Sequence, residues 1–167
     1  MMSKGRFREF YQCDFDIAGQ CESMVPDAEV LKILDEILTQ VGVGKFVIKL
    51  NHRKLLEAII DLSGAPSSKF KSICSSIDKL DKEPWEKVKE ELIWEKGVLE
   101  KEVDIIHKFV FKNGKIFDML ESIKAENTFG DNEKAKLALD EIANLGTYLK
   151  NINGYDNISL DFSLARG

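Results

Sequence analysis

Charged and amide side chains alternate with apolar ones near the start of the 167-residue chain. Between residues 6 and 17, the even positions are polar apart from Phe10, and the odd positions are apolar apart from Glu9. An amide both donates and accepts hydrogen bonds and a carboxylate accepts them, so such a face could bind a polar ligand. Period-two alternation predicts a β-strand, and taken alone it favours a solvated sheet face.

The cysteine and histidine side chains form no metal-binding pattern. Cys13, Cys21 and Cys74 lie far apart without a C-x-x-C pair, and His52 and His107 complete no ligand spacing. We therefore expect no metal site, and we interpret the three cysteines as reduced thiols that mostly act as small apolar fillers.

The composition is that of a globular chain, with 44% hydrophobic and 32% charged residues. The net charge of -5 argues against nucleic-acid binding driven by bulk positive charge, although a local basic patch stays open. No apolar run approaches the roughly 20 residues of a membrane helix. The first residues are not followed by the apolar stretch of a signal peptide, so we expect a cytoplasmic protein without a membrane partner.

The elements that would position the polar face follow an α+β order. Asp27 is a candidate N-cap for a helix that runs to Val41, and residues 45–50 have the β-branched, apolar character of a strand. Asn51 is a candidate cap for a second amphipathic helix over residues 55–62. This order suits an antiparallel or mixed sheet backed by helices.

A turn-rich stretch at residues 63–68 precedes a long helical region. We expect five helices, near residues 69–80, 84–95, 99–112, 115–124 and 132–151. Five helices in about 85 residues could form a small bundle. Residues 158–164 then alternate with period two again, which predicts a return strand.

Four stretches resemble eukaryotic-type histidyl-tRNA synthetases. Residues 5–19, GRFREFYQCDFDIAG, are similar to the second half of motif 2 in that class II family. VPDAE at residues 25–29 and ICSSIDKLDK at residues 73–82 agree with it, and ISLDFSLARG at residues 158–167 resembles the start of the histidine-specific signature. The resemblance covers essentially the whole chain. It implies an α+β fold with a partial class II antiparallel sheet and flanking helices at residues 1–62, an all-helical insertion domain at residues 63–155, and a return strand of the core at residues 156–167.

The resemblance also implies which residues form the site. Gln12 and Asp16 would line the histidine pocket, and Arg166 would be a catalytic and histidine-binding residue. Arg6 is a candidate for a phosphate contact. In the implied reaction, the histidine carboxylate attacks the α-phosphate of ATP, supplied with Mg²⁺, and the histidyl group of the adenylate is then transferred to the histidine tRNA.

The resemblance leads to expectations about partners and about the chain alone. The insertion would lie near the acceptor arm of the tRNA, and the full enzyme would be a homodimer. The first strand of motif 2, motifs 1 and 3 and the anticodon-binding domain are not among these 167 residues, so we expect the chain alone to be inactive, without a tightly bound cofactor. We expect it to self-associate through exposed strand edges. The alternative is a non-catalytic regulatory module that binds uncharged tRNA.

Overall fold

The computed structural model of the chain describes residues 9–165, which form seven α-helices and three short strands. The helices are α1 (Val25–Val41), α2 (Arg53–Ser63), α3 (Phe70–Ile77), α4 (Trp85–Glu90), α5 (Glu100–Val110), α6 (Ile116–Ala125) and α7 (Glu133–Asn151), and the strands are β1 (Ile48–Leu50), β2 (Asn113–Gly114) and β3 (Ile158–Asp161). The 3₁₀ turns Ser67–Lys69 and Asp78–Asp81 flank α3, and a π-helical turn, Glu91–Glu95, extends α4. All five helices expected between residues 69 and 151 are confirmed.

The three strands form one sheet in the order β1-β3-β2. β3 pairs in parallel with β1, with Ile48 opposite Ile158, and antiparallel with β2, with Asn113 opposite Asp161. The α+β class is therefore confirmed, and the sheet is mixed rather than purely antiparallel. β2 lies at an expected helix break, and its two residues supply the second neighbour of the central strand.

The helical region packs directly on the sheet and on α2. α2 contacts both α5 and α7, and α6 contacts β3. The buried apolar side chains form one continuous cluster that includes Leu55 of α2, Ile106 of α5, Ile142 of α7 and Ile158 of β3. The buried core continues across residues 63 and 155, the predicted boundaries of the insertion. These boundaries therefore stay predictions. No helix within residues 9–165 is long and apolar enough to cross a membrane.

Two predicted helix caps are wrong. α1 begins two residues before Asp27, after Met24 in the left-handed conformation, and Asp27 lies in the first turn, where its charge favours the positive end of the helix dipole. α2 is capped by His52, whose Nδ1 accepts the backbone N–H of Lys54 at 3.1 Å, and not by Asn51. The side chain of Asn51 is instead engaged with the end of the return strand.

The strand predicted over residues 6–17 is also wrong for the part of it that the structure describes. Residues 9–22 form neither helix nor strand, and each is exposed. Phe10 and Tyr11, on opposite faces of the predicted strand, are 73% and 101% exposed. A strand is stabilised by hydrogen bonds to a neighbour, and none of β1, β2 and β3 pairs with this segment. Residues 6–8 lie outside the described residues.

Candidate functional site

The return strand ends in a turn that a buried carboxylate holds together. Asp161, the last residue of β3, is 6% exposed. Its Oδ1 accepts hydrogen bonds from the backbone N–H of Ser163 at 2.9 Å and from the Ser163 hydroxyl at 2.6 Å. Its Oδ2 lies 3.0 Å from Nζ of Lys49 on β1. The carboxylate therefore joins two strands to the turn at residues 161–164.

The electrostatics of this turn favour ionised Asp161. Burial opposes ionisation, but the hydrogen bonds from Ser163 and Lys49 outweigh it and lower the pKa of Asp161 below its ordinary value. Hydrogen bonds to Asp161 and to Asp81 in turn raise the pKa of Lys49. Lys49 also lies 3.0 Å from Asp81, so it links β3 to the 3₁₀ turn after α3.

Asn51 holds the same turn from the side of β1. Its Nδ2 donates to the carbonyl oxygen of Leu164 at 3.0 Å and, at 3.5 Å, to that of Phe162. Its Oδ1 accepts the backbone N–H of His52 at 2.8 Å. Both ends of the amide are thus used within the protein. Ala165 is buried, and the next residue is Arg166, the predicted catalytic residue.

His52 extends this arrangement to α7. Its Nε2 lies 2.9 Å from Oε2 of Glu141, which also lies 3.4 Å from Nζ of Lys54. Because His52 caps α2 while Asn51 contacts the turn, the start of α2 is tied both to the return strand and to α7. Within residues 9–165, the two ring nitrogens of His52 therefore contact the backbone of Lys54 and the carboxylate of Glu141.

A cavity of about 640 Å³ opens beside the turn, between the start of α2 and α3. Arg53, Phe70, Lys71, Cys74 and Leu164 are among its lining residues. The guanidinium of Arg53 lies 5.4 Å from the ring centre of Phe70. Burial raises the pKa of the Cys74 thiol to about 11, and this side chain is a buried apolar filler as expected. Cys13 and Cys21 are exposed, so the same interpretation is wrong for them.

The predicted site residues do not form one cluster in the described part of the chain. Gln12 and Asp16 are exposed in the irregular segment, and neither makes a hydrogen bond or an ion pair with any residue of the range 9–165. Arg6 and Arg166 lie outside the described residues. Asn51 and Asp161 were missed as site residues. Each is a polar residue at the end of an apolar, strand-like stretch of the sequence, and this pattern could have identified them.

Comparison with known proteins gives the same family as the sequence motifs. The family model described as histidyl-tRNA synthetase matches residues 2–167. The chain belongs to the histidyl-tRNA synthetase family. Its fold is similar to the crystal structure of histidyl-tRNA synthetase from Nostoc sp. PCC 7120, with a TM-score of 0.78 and 31% identity, over 89% of this chain and 35% of that one.

Several relatives are histidine–tRNA ligases. The chain is 49% identical over 167 residues to the cytoplasmic enzyme of Dictyostelium discoideum and 49% identical over 166 residues to the mitochondrial enzyme of Saccharomyces cerevisiae. It is 48% identical to the cytoplasmic enzyme of Arabidopsis thaliana. These matches use 99–100% of this chain but span only 35%, 30% and 19% of the three relatives.

Proposed function

We propose that this chain is the part of a histidine–tRNA ligase that recognises histidine and helps to activate it with ATP. The observation that carries the proposal is the family match over residues 2–167, and the motif resemblance suggests Gln12, Asp16 and Arg166 as its site residues. Its named relatives are histidine–tRNA ligases. The proposed reaction forms histidyl-adenylate and pyrophosphate, after which the histidyl group is transferred to the histidine tRNA.

Selection of histidine is assigned to Gln12 and Asp16. The amide of Gln12 can accept a hydrogen bond from the histidine ammonium group and donate one to its carboxylate. The carboxylate of Asp16 can accept an imidazole N–H. A site built around such an acceptor rejects an apolar competitor strongly, because the buried carboxylate would lose its partner.

Activation is assigned to Arg166, with Arg6 as a candidate phosphate contact. When the histidine carboxylate attacks the α-phosphate, negative charge develops on the phosphoryl oxygens. A fixed guanidinium can hold carboxylate and phosphoryl oxygens together. By analogy with oxyanion holes, such a contact is worth on the order of 3 kcal/mol in the transition state.

ATP is expected to bring Mg²⁺ to the reaction, where the ion neutralises phosphate charge. Within residues 9–165, no group of three His, Cys, Asp or Glu side chains is placed to hold a metal ion. Mg²⁺ is usually held by one or two carboxylates together with the phosphates of the nucleotide, and no residue of this chain is assigned to it. The binding of ATP is assigned only to the arginines named above.

We also propose that residues 63–155 lie near the acceptor arm of the tRNA. Residues 66–124 contain 12 lysines and 12 acidic residues, so this contact would be weak and salt-sensitive when the chain acts alone.

We propose a homodimer for the full enzyme. We also propose self-association of this chain through its strand edges, because β1 and β2 are the outer strands of the sheet. Relatives named cytoplasmic support a cytoplasmic location, although the yeast relative is named mitochondrial.

The chain on its own is proposed to be inactive, because it spans about a third or less of these relatives and catalysis requires all groups in one geometry.

The test is histidine-dependent ATP–pyrophosphate exchange by the chain alone and by a chimera. In the chimera, residues 1–167 replace the matching stretch of the Dictyostelium ligase. Exchange by the chimera only supports the proposal, and exchange by the chain alone contradicts its inactivity. A correctly folded chimera without exchange would favour the non-catalytic module, with uncharged tRNA binding as the next measurement.

A further inference from the structure

The turn at residues 161–165 directly precedes Arg166, and two side chains on different strands determine its backbone. We propose that Asn51 and Asp161 are positioning residues for Arg166 in the activation reaction. The inference rests on the proposed function and adds to it the residues that fix the backbone of the turn before Arg166.

The hydrogen bonds of the two side chains converge on three consecutive residues. Asn51 donates to the carbonyl oxygens of Phe162 and Leu164, while Asp161 accepts from both the backbone and the hydroxyl of Ser163. The backbone adds a bond from the N–H of Leu164 to the carbonyl of Asp161 at 3.2 Å. The path of the chain from residue 161 to residue 164 is therefore determined on both sides.

Packing against the core holds the same turn in place. The side chain of Phe162 is fully buried and its ring lies 6.0 Å from that of Phe129. The backbone N–H of Phe162 donates to the carbonyl of Lys112, just before β2. Ala165, the last described residue, is 3% exposed. A displacement at residues 162–165 would therefore require movement of the core, so the turn is rigid as far as Ala165.

Every polar atom in the side chains of Asn51 and Asp161 already has a partner within residues 9–165. Oδ1 of Asp161 is used by Ser163 and Oδ2 by Lys49, and the amide of Asn51 is used at both its oxygen and its nitrogen. Their role in the reaction is thus indirect, through the backbone that carries Arg166. A misplacement of about 1 Å in a reacting geometry can lower the rate about 100-fold, so such support has a large kinetic effect.

The first test uses the chimera defined above with Asn51→Asp. This change keeps the oxygen that accepts the N–H of His52 and removes the two donations to the turn. The matched control is Asn151→Asp, because Asn151 is an exposed residue at the end of α7 whose side chain makes no hydrogen bond within residues 9–165. We expect Asn51→Asp to lower kcat of ATP–pyrophosphate exchange about 10- to 100-fold, with KM for ATP changed less than about threefold, and the control to stay within about twofold of the unaltered chimera.

The second test asks whether the effect passes through Arg166. In a chimera that already carries Arg166→Ala, Asn51→Asp should lower kcat by less than about threefold, because residues that act as a unit are not additive. An equal fall in both backgrounds would overturn the proposal, as would a kcat for Asn51→Asp within about twofold of the unaltered protein. Loss of folding is monitored by the midpoint of thermal unfolding, which a purely structural role would lower while leaving kcat of the folded protein unchanged.

A second pair of variants keeps the test decisive if Asn51→Asp does not fold. Asp161→Asn retains an oxygen that can accept the N–H of Ser163, whereas Asp161→Ala removes it. We therefore expect kcat to be highest in the unaltered chimera, lower in Asp161→Asn and lowest in Asp161→Ala. Equal values of kcat for the two variants would overturn the proposal. If Arg166→Ala leaves exchange unchanged, the role of Arg166 and the positioning inference fall together, whereas a folded chimera without any exchange contradicts the proposed function itself.

Discussion

The segment at residues 9–22 contains Gln12 and Asp16, whereas the turn at residues 161–165 directly precedes Arg166, and the protein supports these two regions in different ways. The first is exposed along its whole length, and neither Gln12 nor Asp16 in it makes a hydrogen bond or an ion pair with another residue of the range 9–165. The second is held by the side chains of Asn51 and Asp161 and closes over buried Phe162. The two residues proposed to recognise histidine therefore lie in a segment with far less internal support than the turn before Arg166.

The difference shows what a period-two pattern needs in order to become a strand. Both regions alternate apolar and polar residues, but β3 lies between β1 and β2, which satisfy its backbone hydrogen bonds on both sides. Its apolar face, Ile158 and Leu160, is fully buried against the helices. A backbone without a hydrogen-bonded neighbour gains nothing from the extended conformation, so the alternation in residues 9–17 alone is insufficient.

The largest expected effect comes from removing the aromatic ring beneath the turn. Phe162→Ala in this chain should lower the free energy of unfolding by about 3–5 kcal/mol, since a buried ring is replaced by a cavity. Phe15→Ala is the matched control, because Phe15 is 38% exposed in the irregular segment, and it should cost less than about 0.5 kcal/mol. Urea denaturation measures both. Similar losses for the two variants would mean that the segment contributes to the core as much as the turn does.

The next largest difference between the two regions is expected in the rates at which their cysteine thiols are labelled. Cys13 and Cys21 are exposed in the irregular segment, whereas Cys74 is buried beside the turn and the pKa of its thiol is raised to about 11. At pH 8, Cys74 should react with a disulfide reagent at least about 100-fold more slowly than the other two, because it is both protonated and covered. Absorbance gives the rates, and mass spectrometry assigns the sites.

The control for labelling is the same reaction in denaturant, where the three thiols should react at comparable rates. Rapid labelling of Cys74 in the folded chain would show that the region beside the turn opens readily, and the contrast with residues 9–22 would be lost.

The helices and the family could be predicted from the sequence, but the support of the site could not. Helical spacing depends on neighbours along the chain, so the helices from α3 to α7 were correctly expected. The contact of Asn51 with Leu164 joins residues 113 positions apart, and no local pattern reports such a pair. For the same reason Asn51 was expected to cap α2, a role that His52 fulfils, and Asp161 was expected only as a polar residue of a strand.

The buried carboxylate is expected to matter less than the buried ring. Asp161→Asn should lower the free energy of unfolding by about 1–2 kcal/mol at pH 7, because the hydrogen bonds to a charged acceptor are weakened. The pKa of Asp161 is lowered in the folded protein, so its ionised form stabilises the fold above the unfolded pKa of about 3.9. This contribution is lost as the pH falls through the lower folded value.

Urea denaturation at pH 7, 5 and 3 checks the sign of this effect. The difference between the unaltered chain and Asp161→Asn should be constant from pH 7 to pH 5 and smaller at pH 3. A difference that grows on acidification would contradict the ion pair with Lys49 as the source of stability.

The smallest effect is expected from the other acidic partner of Lys49. Asp81 lies at the same 3.0 Å from Nζ as Asp161 does, but its side chain is 48% exposed whereas that of Asp161 is 8% exposed. Exposed ion pairs contribute little because water screens them, so Asp81→Asn should cost less than about 0.5 kcal/mol, and about 0.5 M NaCl should abolish the cost. Distance and cation are shared, so the two variants compare an exposed ion pair with one that is buried and also accepts hydrogen bonds from Ser163. If Asp81→Asn lowered the free energy of unfolding as much as Asp161→Asn does, the stability of the turn would depend on the charge of Lys49 rather than on the buried hydrogen bonds that Ser163 donates to Asp161.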